Sequence, residues 1–228
     1  MKRLQDSFFA GGIGGGVQVL VGQPFDTIKT RLQNSQRLPW IKSSLPSSVR
    51  MLYAGGTFAL GSSVLLNSFV FPLNLHLRNN WFSSYFGSGF FAGCLVSPLL
   101  YVFEVKKTQR QLNIKARFNS KGLGCLSLRE GLGMAMYFWV YNLCRQEVDA
   151  PPLLAGGLAG VSNWVLSYPV DVIKTRVFAG STVAEAIKNG HLYRGVGIVL
   201  LRALVVNACV FQSYETATKY FEVHNKKK

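Results

Sequence analysis

Apolar residues along this chain gather into six long stretches, separated by short polar runs rich in Lys and Arg. Three stretches, roughly 5–36, 82–113 and 152–179, are each followed by a second, at roughly 55–78, 122–146 and 193–222. Most offer the ~20 residues that a helix needs to cross a bilayer at ~1.5 Å per residue. Pro151 and Pro152 mark the entry to the fifth stretch, because proline suits the first turn of a helix. The pattern predicts an all-α membrane protein with six transmembrane helices. Six crossings put both termini on one side.

The six stretches are three copies of one pair. Asp26, Glu104 and Asp171 each have a Gly 15 residues earlier (Gly11, Gly89, Gly156) and another 11 residues earlier (Gly15, Gly93, Gly160). Each also has a Lys three residues later, at Lys29, Lys107 and Lys174. The second helices repeat as well. Gly55, Gly122 and Gly195 open them, Ser62, Arg129 and Arg202 follow seven residues on, and Asn74, Tyr141 and Tyr214 stand twelve beyond those. The repeats are 1–78, 79–148 and 149–228, forming one transmembrane domain with threefold pseudosymmetry. The paired glycines are small-xxx-small elements that let helix backbones approach closely in lipid. The run Gly11–Gly16 follows no strand and lacks the register of a nucleotide-binding loop.

Charge gives the molecule a direction. The 228 residues hold 25 Lys and Arg against 10 Asp and Glu, a net charge of +15. That balance in a soluble protein would suggest nucleic acid. Here the basic residues lie between apolar segments, so a nucleic-acid partner is not expected, and anionic lipid or solute fits better. Fifteen of the 25 fall in the loops that join first to second helices, and eight on the opposite face. Those loops should face the negative compartment. Cys94, Cys125, Cys144 and Cys209 are scattered, without metal-ligand spacing, and read as small packing residues. The N-terminus lacks the layout of a secretory signal, so any organelle address is expected within the chain.

The repeated acid sits in a motif of the form Px[DE]xx[KR]. It is complete in Pro24-Phe-Asp26-Thr-Ile-Lys29 and in Pro169-Val-Asp171-Val-Ile-Lys174. In the second repeat Val102 takes the proline column of Val-Phe-Glu104-Val-Lys-Lys107, and Pro98 stands one turn earlier. Proline inside a helix removes a backbone hydrogen bond and kinks it, so Pro24, Pro98 and Pro169 are candidate kinks. An acid and a lysine three apart share a helix face. Here the chain resembles the mitochondrial solute-carrier family over nearly its whole length.

That resemblance implies a matrix gate of three ion pairs, Asp26–Lys107, Glu104–Lys174 and Asp171–Lys29. It also implies a glutamine brace beneath the gate at Gln33 and Gln111, with Phe178 in the third brace position. The family's outer gate, [FY][DE]xx[KR], is depleted: the corresponding residues are Asn74 and Arg78, Tyr141 and Arg145, and Tyr214 and Glu215. Only Arg78 and Glu215 remain an oppositely charged pair.

Between the gates a solute site is expected near the midplane. Ser62, Arg129 and Arg202 share one level, with Glu130 beside Arg129. An Arg–acid pair there, with Asn67 in the second helix and Asn207 in the sixth, resembles the carnitine/acylcarnitine and basic amino-acid carriers. Glu130 would hold an ammonium and Arg202 a carboxylate. The resemblance thus implies exchange of a small zwitterionic or cationic solute across the mitochondrial inner membrane by alternating access, with both termini toward the intermembrane space. No enzyme activity, metal or cofactor is expected.

Two other readings stand beside these. The charges could serve only to stabilise the bundle, with Glu130 bridged internally to an arginine. The whole chain could equally be a carrier-derived structural subunit of a larger mitochondrial membrane complex, as its short loops and worn outer gate suggest. Tyr193-Arg194-Gly195 keeps an aromatic-basic-Gly element resembling a cardiolipin headgroup site, partly echoed at Tyr53-Ala54-Gly55 and Ser120-Lys121-Gly122. In the third loop, 182–188 is predicted helical.

Overall fold

The computed structural model describes residues 2–34, 49–114, 118–203, 205, 206, 209 and 216, with side chains at these positions from 17 onward except at 49, 67, 68, 152 and 153. The helices are α1 (Lys2–Asn34), α2 (Val49–Leu52), α3 (Gly56–Asn80), α4 (Tyr85–Leu112), α5 (Ser120–Gln146), α6 (Pro152–Phe178) and α7 (Val183–Lys188). Residues 196–203 open a further helix, α8, and the described positions beyond it are helical too. No strand occurs among the described residues. Pro24, Pro98 and Pro169 all lie inside long helices, α1, α4 and α6 respectively.

The bundle turns apolar side chains outward and encloses polar and charged ones beside an apolar core. Leu60, Val64, Phe71 and Leu75 on α3 are exposed, as are Phe91, Leu95, Leu99 and Val102 on α4 and Leu154, Leu158, Val161 and Val165 on α6. Their spacing of three, four or seven marks one outward stripe per helix. Ser97, Thr108, Gln111, Glu130, Asp171, Lys174 and Thr175 are buried instead. Apolar surface turned outward with charge enclosed is the arrangement a bilayer demands. The long helices run from 25 to 33 residues, ample for a tilted crossing. An apolar core of Val70, Val96, Leu100, Val105, Leu126, Met134, Phe138 and Phe178 joins α3, α4, α5 and α6.

Glycine sets how closely α4 and α5 approach. A Cβ on Gly89 would lie 2.7 Å from the Met134 carbonyl oxygen, and one on Gly93 would overlap the Glu130 carbonyl. Gly93→Val is therefore expected to force the two helices apart, at a cost of about 1–3 kcal/mol or more. A lower thermal unfolding midpoint in detergent would show it, whereas an unchanged midpoint would mean the contact is not needed. Gly156 and Gly160 meet nothing within 4 Å among the described residues.

Each second helix starts where the first helix of its repeat reaches across. The residue three before the acid donates to a backbone carbonyl at that start: Gln23 Nε2 to Ala54 O at 2.9 Å, Tyr101 Oη to Asn119 O at 2.6 Å, and Tyr168 Oη to Arg194 O at 2.9 Å. Gly55 and Gly195 enter their helices with φ of 81° and 87°, a left-handed conformation that suits glycine. The second repeat differs. The Asn119 side chain accepts from Lys121 N at 3.0 Å, so α5 begins at Ser120 and takes Gly122 into its first turn. Helix α7 carries a reciprocal capping box between Thr182 and Glu185.

Candidate functional site

The three motif acids and three motif lysines meet where α1, α4 and α6 converge. Lys29 Nζ lies 2.7 Å from Asp171 Oδ2, Lys107 Nζ 3.6 Å from Asp26 Oδ2, and Lys174 Nζ 3.1 Å from Glu104 Oε2. Each lysine thus reaches the acid of another repeat. Lys174 also lies 3.3 Å from Asp171 within its own helix. Charges this enclosed must be paired, because desolvation costs several kcal/mol per ion.

The brace positions are unequal. Gln33 Nε2 donates to Asp171 Oδ2 at 2.9 Å, and its Oε1 accepts from Thr175 Oγ1 at 2.8 Å. Gln111 instead bonds hydroxyls, accepting from Thr30 Oγ1 at 2.8 Å and donating to Thr27 Oγ1 at 3.4 Å. Phe178 lies beneath the third ion pair, its ring centroid 5.8 Å from Lys174 Nζ. That is a cation–π contact where an amide would otherwise be.

Arg129 and Arg202 reach into the same ring. Arg202 Nε is 2.8 Å from Asp26 Oδ1, and Arg129 Nε is 3.6 Å from Asp171 Oδ1. Arg129 Nη1 donates to Glu130 Oε1 at 2.5 Å. The two Nε atoms are buried without an aligned hydrogen bond, and so is Glu130 Oε2. All three side chains line one cavity of about 170 Å³, together with Ser62, the ring and both brace glutamines. Buried polar groups normally find partners. Two guanidinium Nε atoms held only by ion pairs and one carboxylate oxygen without a partner, on residues lining a common cavity, make a site with room for both a carboxylate and an ammonium.

Other predicted residues are placed elsewhere. The Arg78 guanidinium stacks on Tyr85 at 3.4 Å, Tyr141 stacks on Tyr137, and Arg145 Nη1 donates to Ala150 O at 2.8 Å. Asn207, Tyr214 and Glu215 lie outside the described residues, as does the Asn67 side chain.

Several site residues were not singled out in advance. Trp164 has Lys29 at 4.1 Å and Arg129 at 4.9 Å over its ring, so it bridges ring and cavity. Arg31 Nε donates to Gln111 O at 3.0 Å, and Arg176 Nε to Gln33 O at 3.1 Å, each crossing to the C-terminal end of the neighbouring repeat's first helix. Arg176 Nη1 also holds the third loop at Ala186 O and Gly190 O. The signal for these was the repeated Lys-Thr-Arg at 29–31 and 174–176, which becomes Lys-Thr-Gln at 107–109.

The chain is similar to known proteins over most of its length. The profile of the family described as "Mitochondrial carrier protein" matches residues 2–69 and 147–225. The chain is 32% identical to the mitochondrial arginine transporter of Arabidopsis thaliana over 269 aligned positions, which cover 93% of the chain and 90% of that protein. It is 29% identical to the mitochondrial basic amino acids transporter of Bos taurus, covering 93% and 91%. It is also 29% identical to the mitochondrial glycine transporter of Saccharomyces cerevisiae, covering 95% and 92%. The 269-position alignment is longer than the 228-residue chain itself, so the plant relative carries segments that this chain lacks.

Proposed function

Because the chain belongs to the mitochondrial carrier family, whose relatives here are membrane transporters and not enzymes, we propose that it exchanges a cationic amino acid across the mitochondrial inner membrane by alternating access. One observation carries the choice of solute: the Arg129 and Arg202 guanidinium groups, held at Nε only by ion pairs, line one cavity with Glu130, whose Oε2 is buried without a partner. The solute's carboxylate takes Arg202 and its ammonium takes Glu130. The relatives named for arginine and basic amino acids favour that class over carnitine.

The same geometry couples binding to gating. Arg202 can accept the solute's carboxylate only by loosening its hold on Asp26, 2.8 Å away. Asp26 is the acid whose lysine partner is farthest off, at 3.6 Å. Loss of Arg202 leaves Asp26 held by Lys107 alone, across the longest of the three pairs, and the matrix side opens from there. Solute binding offsets the cost of parting the ions, since a ligand shifts an equilibrium only by its differential affinity for the two states. The basic loops then face the matrix and both termini the intermembrane space. An anionic lipid such as cardiolipin is proposed at Tyr193–Gly195, and against Arg31, Arg50 and Arg110 beside Gly55, which together line a surface hollow.

Thermal unfolding of the purified chain in detergent tests the solute class. Arginine at about 100 times its dissociation constant should stabilise the fold by about 2.7 kcal/mol, with carnitine and glycine giving less at equal concentration. Stabilisation by carnitine alone would move the assignment to the other branch. A second reading, a transport-inactive subunit of a larger mitochondrial membrane assembly, is favoured by the missing segments and by Arg78 and Arg145 engaging Tyr85 and Ala150. Stoichiometric copurification with a respiratory complex, without exchange activity, would support it.

A further inference from the structure

We propose that Glu104 is the subsite for the side-chain cation of the solute, standing where the protein's own third arginine is missing. This rests on the amino-acid reading above and adds which acid recognises the side chain. The ring of acids is threefold, but the arginines that reach into it are not. Arg202 holds Asp26 and Arg129 approaches Asp171. The third residue of that column is Ser62, whose hydroxyl turns back to Ala59 O at 3.1 Å. Asp26 therefore meets two cations and Asp171 three, whereas the one ion pair of Glu104 among the described residues is with Lys174 at 3.1 Å.

The space around Glu104 suits a long cationic side chain. A Cβ on Gly61 would lie 2.5 Å from the Phe103 ring, so α3 and α4 touch here, with Ser62 and Glu104 both on the cavity wall. In the first repeat the Arg202 guanidinium lies against Gly22, four residues before Asp26. Its counterpart four residues before Glu104 is Leu100. Leu100 and Leu66 give that side of the cavity apolar surface beside the small Ser63. A stem of three or four methylenes can lie along it and deliver a guanidinium or ammonium to Glu104. The solute is then held at three points: carboxylate at Arg202, α-ammonium at Glu130 and side-chain cation at Glu104. A neutral side chain of the same shape leaves Glu104 as it stands and forgoes a charge-assisted contact.

Arginine and citrulline are nearly isosteric and differ in side-chain charge, so their ratio reads this subsite. In proteoliposomes the wild-type chain should favour labelled arginine over labelled citrulline by at least about tenfold in kcat/KM, a modest demand for one charged contact. Ser62→Arg supplies the missing guanidinium. It should bring that ratio toward one, through a raised KM for arginine. Should Ser62→Arg fail to fold, Glu104→Gln read by thermal shift gives the same test, with arginine stabilising no more than citrulline. A wild-type chain that exchanges arginine, with a ratio that neither variant changes, overturns this assignment alone. A wild-type chain that exchanges neither compound overturns the solute reading on which it rests.

Discussion

Replacing Asp171 by asparagine is expected to destabilise the chain more than any other single change in the ring. Its carboxylate faces Lys29 at 2.7 Å, Lys174 at 3.3 Å and Arg129 at 3.6 Å, and it accepts from Gln33 at 2.9 Å. The residue is only 3% exposed. Removing its charge leaves three enclosed cations short of an anion, and losing one partner of a buried pair typically costs about 3–5 kcal/mol. The thermal unfolding midpoint should fall by roughly 10 °C. Glu104→Gln is the internal comparison. Lys174 keeps Asp171 in that variant, so the fall should be less than half as large. Equal effects at the two acids would mean that the ring shares its charge evenly and that Asp171 is no hub.

The second large effect is functional. Glu130→Gln should leave the fold nearly intact, because an amide oxygen can still accept from Arg129 and Arg129 still has Asp171 beside it. The negative charge at this position of the cavity wall is lost, however. Removing one side of a buried charge pair costs about 2–5 kcal/mol in binding, so arginine exchange should fall by about thirtyfold or more. Near-normal exchange with a normal midpoint would make Glu130 an internal partner of Arg129 and nothing more.

Much of this architecture was legible in the sequence because spacing survives where residue identity drifts. Asp26, Glu104 and Asp171 could be aligned by their glycines and lysines alone, and those columns place the helices to within a few residues. The cross-repeat pairing of the acids came from resemblance to a family; one helix's periodicity says nothing about which neighbour a lysine will face. Arg129, Glu130 and Arg202 could be grouped by level, but that two of them reach the ring acids depends on side-chain length and helix packing. Trp164 was hidden because its columns hold Val19 and Ser97 in the other repeats, leaving no repeat to notice. The start of α5 shifted because Asn119, outside any repeated column, supplies its own cap.

The chain departs from threefold symmetry at a few positions. Symmetric positions such as Lys29, Lys107 and Lys174 build the closed ring. In the proposed exchange the unequal ones, Ser62 against Arg129 and Arg202, give the cavity one end for a carboxylate and another for a cation. A symmetric cavity could close just as well but could not orient an asymmetric solute.

Exchange of arginine by the purified chain bears on all of this most directly. Liposomes loaded with unlabelled arginine and carrying the protein should take up labelled arginine saturably, faster than unloaded liposomes, with the activity lost in Glu130→Gln. Uptake no greater than in protein-free liposomes, from a chain shown to be folded, would contradict the account and leave the structural-subunit reading in its place.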